Sequence, residues 1–76
     1  MGAIQCISEK VGYKEMTFLE GDRTFTKFIP KVHVNGKYVL VSDKTTKSGL
    51  MECADPNSAI LAAKTVKNEL RARLGI

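Results

Sequence analysis

Lys31-Val32-His33-Val34-Asn35-Gly36-Lys37-Tyr38-Val39-Leu40-Val41 sets two apolar-rich arms around an Asn-Gly pair. Asn-Gly tolerates the positive φ angles of a two-residue type I′ turn, whose twist matches that of the strands it joins. The arms therefore pair antiparallel, and the loop length fixes the register: Val34 faces Lys37, His33 faces Tyr38 and Val32 faces Val39. Alternation puts Val32, Val39 and Val41 on one face and His33, Tyr38 and Leu40 on the other. With apolar groups on both, one face is expected beneath a helix and the second partly exposed or against another subunit.

Upstream, Glu20-Gly21-Asp22 is a tight polar turn between two alternating runs. Tyr13 to Leu19 places Met16 and Phe18 opposite Tyr13, Glu15 and Thr17; Arg23 to Ile29 sets Phe25 and Ile29 against Thr24, Thr26 and Phe28. These runs predict a second hairpin. Pro30 lacks an amide donor and is expected to end the strand, or to mark an edge or bulge. Ala3 to Ser8 reads as a further short strand.

Downstream, Ser42 to Gly49 is polar throughout and reads as an exposed, mobile loop suited to ordering on binding. Leu50 to Ala54 fits one more short strand. Asp55-Pro56 is an N-cap followed by proline at the first helical position, where a missing donor costs nothing. The helix is expected over about 56–74, stopping at Gly75, with an apolar stripe of Ala59, Ala63, Val66, Leu70 and Leu74 widened by Ile60. Lys64, Lys67 and Arg71 fall on its outer surface, and Arg71 and Arg73 in the last turn suit the helix dipole. The expected architecture is one α+β domain over residues 1–76: a small antiparallel sheet of 3–5 strands, built from hairpins, packed against one C-terminal α-helix.

At 76 residues the core is thin, and dimerisation would thicken it. Trp is absent and aromatics are only 7%, so Ile, Val, Leu, Met and Ala must fill that core. No apolar run approaches the roughly 18 residues of a membrane span, and no secretory signal is evident. Cys6 and Cys53 lie far apart without CxxC spacing, which fits two free thiols in an intracellular, reducing setting.

The charge is concentrated. Between Arg23 and Lys47, six bases (Arg23, Lys27, Lys31, Lys37, Lys44 and Lys47) meet one acid, Asp43, while residues 1–22 hold two bases and four acids. A basic β-ribbon steers polyanions. The expected partner is DNA or RNA, contacted at phosphates by these six residues together with Lys64, Lys67 and Arg71 of the helix. Tyr13, Phe28 and Tyr38 are candidates for stacking on unpaired bases, although a place in the core or on the sheet surface accounts for each of them better.

Catalysis has little support. His33 is the single histidine, and with Cys6 and Cys53 it makes neither a nucleophilic pair nor a metal set by spacing. Lys47-Ser48-Gly49 has no accompanying SxxK motif, and GxxxxGK is absent. No enzyme activity, cofactor or metal is expected. The competing expectation is an interaction protein: a homodimer or larger assembly, such as a small phage or mobile-element protein that coats, packages or inhibits, in the cytoplasm or a virion.

Overall fold

The computed structural model describes residues 6–75. Strands β1 (Ile7–Glu20), β2 (Arg23–Val34) and β3 (Lys37–Leu40) form an antiparallel sheet in that order, and helix α1 (Pro56–Leu74) packs across β1 and β2. The fold is a small α+β arrangement. The Asn-Gly hairpin pairs Val34 with Lys37, His33 with Tyr38 and Val32 with Val39, and Asn35 and Gly36 take φ values of 50° and 82°.

The separate strands expected at Ala3–Ser8 and Tyr13–Leu19 are one long β1, entered at Ile7; Ala3 to Gln5 lie outside the described residues. A bulge replaces the expected break. Pairing steps from Ile7↔Val34 to Val11↔Val32, so Ser8, Glu9 and Lys10 together oppose His33. Two extra residues preserve the alternation on either side. Ser8 holds the bulge: its Oγ accepts from the Lys10 amide at 3.1 Å and is hydrogen-bonded to His33 Nδ1 at 2.9 Å.

Pro30 does not end a strand but lies fully buried inside β2, opposite Tyr13. Its carbonyl accepts from Val41 N–H at 2.9 Å, so its ring nitrogen faces the row that β3 occupies and costs the β1 ladder nothing. The consequence falls on the third row. Having no Pro30 amide to bond, the Val41 carbonyl accepts from Met51 N–H at 2.9 Å, and the chain leaves the sheet. It returns at Cys53, whose amide and carbonyl both pair with Phe28, at 2.9 and 3.0 Å. The strand expected at Leu50–Ala54 is thus reduced to isolated bridges, Phe28↔Cys53 and Ser42↔Leu50. Residues 42–52 form an excursion from the third row.

Alternation sorts the core onto both sides of the sheet. Ile7, Pro30 and Val32 share the α1 side with Ala59 and Ala63, all buried. Ile29 points the other way and is nonetheless completely buried. Lys47, Ser48 and Glu52 of the excursion line a hollow with Phe18, Phe25 and Lys27 on this same side, so the sheet lies between α1 and the excursion. The small alanines bring α1 close to the sheet.

Helix α1 has the expected bounds. Asp55 Oδ1 accepts from Ser58 N–H at 2.7 Å, and Gly75, at φ 74°, donates its N–H to the Arg71 carbonyl. The apolar stripe is shorter than expected: Val66 and Leu70 are half-buried, and Leu74 is exposed.

Candidate nucleic-acid interface

The pleat divides the bases between two sides. On the excursion side, β2 carries Arg23, Lys27 and Lys31 and β1 carries Lys14, which pairs with Ile29 midway between Lys27 and Lys31. Lys10 lies in the bulge two residues before Gly12, the register partner of Lys31. Lys27 and Lys31 are half-buried on either side of the covered Ile29, and Lys10 and Lys14 are exposed. Lys44 and Lys47 are exposed on the excursion itself. Lys37 pairs with Val34, which places it on the α1 side, apart from Lys27 and Lys31. The expected ribbon of Arg23, Lys27, Lys31 and Lys37 is therefore split. Lys10 and Lys14 join it instead, a grouping that becomes readable only once β1 and β2 are in register.

The helix bases also divide. Lys64 is exposed, but Lys67 is buried, contrary to its expected place on the outer surface. Its Nζ donates to Glu9 Oε2 at 2.7 Å, and Arg71 bonds the other carboxylate oxygen of Glu9. The Lys67 hydrogen bond, followed by the charges of Lys67 and Arg71, holds the Glu9 carboxyl below the usual carboxylate range. Position 67 adjoins the apolar stripe, and a carboxylate from the bulge makes burial of its ammonium tolerable. Glu9 lies 58 residues away in the chain, so helical periodicity alone gives no sign of it.

At the β3 end of the excursion side, the Lys31 ammonium sits 4.5 Å from the centre of the Tyr38 ring. His33 meets the same ring edge-on at 4.9 Å. A Cβ at Gly12 would come within 3.1 Å of Lys31 Cε, so the glycine leaves room for the lysine stem to lie flat across β1. Tyr38 remains about half exposed. Tyr13 and Phe28, by contrast, pack edge to face at 5.6 Å on the α1 side.

Ser42 to Gly49, expected as a mobile loop, is tied by hydrogen bonds within the excursion. Asp43 Oδ1 accepts from the Thr45 amide and hydroxyl, at 2.9 and 2.6 Å, which lowers the Asp43 pKa. Thr46 Oγ1 donates to the Leu50 carbonyl at 2.7 Å, and Ser48 Oγ donates to Glu52 Oε2 at 2.8 Å. Where it meets the far end of the β1–β2 ribbon, Phe18, Phe25, Lys27, Lys47, Ser48 and Glu52 help line a hollow of about 350 Å³.

His33 is committed to Ser8 and Tyr38. Cys6 is an exposed free thiol and Cys53 a half-buried one, whose pKa is raised by burial and then by Asp55. Among the described residues, no three of His, Cys, Asp and Glu converge as a metal set, and no helix is long and apolar enough to cross a membrane. The chain matches no protein-family model, no curated protein and no solved structure.

Proposed function

We propose that this chain binds nucleic acid through the phosphate backbone, without catalysis, on the excursion side of the sheet. The observation that carries the reading is the grouping of Lys14, Lys27 and Lys31 on paired strands, with Lys10 beside them, none of them in an ion pair among the described residues. Along the strands Lys27, Lys14 and Lys31 are staggered by two residues each, a step of roughly 7 Å. That step is comparable with the phosphate repeat of an extended nucleic-acid strand. Lys44 and Lys47 add positive charge from the excursion, and Arg23 extends the row toward the Gly21 turn. Lys37 and Lys64 act as peripheral charges on the other side, while Lys67 and Arg71 serve the fold.

Fluorescence anisotropy with DNA and RNA oligonucleotides, single-stranded and duplex, tests this. Binding that weakens steeply from low to near-physiological salt is expected, because neutralised phosphates release counterions. No binding at low salt would reject the reading.

Self-assembly is a second reading, favoured by one specific feature. Val32, Val34, Val39, Val66 and Leu70 help line an almost wholly apolar groove of about 300 Å³ between α1 and the short edge strand β3. Val39 is half exposed there. A second copy pairing along β3 would cover both groove and strand edge. Sedimentation equilibrium distinguishes a dimer from a monomer, and a large defined particle would favour assembly as the main role.

A further inference from the structure

We infer that the hollow between the excursion and the far end of the β1–β2 ribbon accepts an unpaired nucleobase, so that the chain prefers single strands to duplex. This rests on the nucleic-acid reading and extends it from phosphates to bases. The hollow, about 350 Å³, has room for one base and lies at the small end of the ligand-pocket range. Phe18 and Phe25 are register partners on its sheet wall, and Phe25 is 39% exposed. Such a ring offers a base a stacking surface that no described residue occupies fully.

The polar groups around the hollow fit the rest of a nucleotide. Lys27 stands two residues along β2 from Phe25, on the same face, and Lys47 reaches the rim from the excursion, so cations flank the site where phosphates on either side of a bound base would lie. Glu52 accepts from Ser48 through Oε2, and a carboxylate has acceptor capacity beyond one such bond. With Glu20 also on the lining beside the two lysines, the hollow offers carboxylate acceptors that suit the exocyclic amino group of cytosine better than the carbonyls of thymine.

The opposite end of the row repeats the pairing of aromatic and cation, with Tyr38 half exposed beneath Lys31. The Phe25 and His33 positions are separated by roughly 26 Å along β2, a length that spans several nucleotides. Two aromatic platforms with lysines between them match a strand whose bases are free to turn. A duplex would have to extrude a base to use either platform.

The test measures the affinity of the full chain for oligo-dC, oligo-dT and a duplex of matched length at low salt, together with the fluorescence of a 2-aminopurine placed within the single strand. Oligo-dC should bind about tenfold or more tightly than duplex, with quenching of the 2-aminopurine on binding. Phe25→Leu should cut the quenching and the single-strand preference by about half or more, the Tyr38 platform keeping the remainder, while leaving duplex affinity and the circular-dichroism melt close to those of the wild type. Glu52→Gln should narrow the difference between oligo-dC and oligo-dT. Equal affinity for single strand and duplex, or unchanged quenching in Phe25→Leu, would overturn the base site and leave phosphate binding standing. Absence of binding to either form would overturn both.

Discussion

On the α1 side of the sheet, Lys67 and Arg71 converge on Glu9, and Lys67 is sunk beside the apolar stripe. On the excursion side, Lys10, Lys14, Lys27 and Lys31 gather on two strands with no acid in an ion pair among the described residues. Both sides carry bases and use them differently. A buried ammonium demands a partner, so the fold supplies one through the bulge that carries Glu9. Solvated lysines make no such demand, and their mutual repulsion is a small cost that a bound polyanion would relieve. Charge count is therefore a poor guide to a binding surface until packing has removed the bases that serve the fold.

If the excursion is a packed layer equivalent to α1, Ile29→Ala should cost roughly 2–5 kcal/mol in urea denaturation. A loss under about 1 kcal/mol would mean that the excursion is a loose flap and the comparison is one between a covered and an open face. Leu70→Ala, at the half-open groove, should cost less, roughly 1–2 kcal/mol, because part of that side chain already meets water.

Glu9→Gln sharpens the contrast through pH. Because the folded-state pKa of Glu9 is depressed, its contribution to stability is fully present above the usual carboxylate range and is lost as pH falls through the depressed value. The variant should melt lower than wild type at neutral pH, and the two melts should converge in acid. A constant difference across that range would separate the loss from the carboxylate's charge. Lys67→Met should change stability by no more than about 1 kcal/mol, since methionine suits the buried site and Glu9 stays solvated beside Arg71. Gly12→Ala is expected to have the smallest effect on stability, within about 0.5 kcal/mol. The atom it meets is the flexible end of Lys31, so the added methyl should chiefly lift that ammonium from Tyr38.

The hairpin register and the helix bounds were legible because each depends on local chemistry: Asn35-Gly36 accepts positive φ, Asp55 caps, Pro56 starts and Gly75 stops. Of the alternatives at Pro30, the strand end was the wrong one, because a missing amide matters only on the edge that needs it. Which edge Pro30 faces is set by the pairing of β2 with its two neighbours. Lys67 was misread for a related reason, since helical periodicity places a side chain on a face but carries no word of Glu9 in a distant bulge. The internal ties of Thr45, Thr46 and Ser48 were hidden because hydroxyl-rich composition is common to mobile loops and to hydrogen-bonded ones. Among the candidate site residues, Arg23 and Lys27 fall together by alternation within one strand, whereas Lys31 joins them only because β2 runs on through Pro30, and Lys10 and Lys14 required the register between strands.

The most direct test is the salt dependence of single-strand binding for wild type, for a variant with Lys10, Lys14, Lys27 and Lys31 all changed to Gln, and for Lys67→Met. The slope of log K against log salt should fall in magnitude by about 3 in the four-site variant and stay unchanged in Lys67→Met. A four-site variant that keeps the wild-type affinity and slope would contradict the assignment of the excursion side as the binding face.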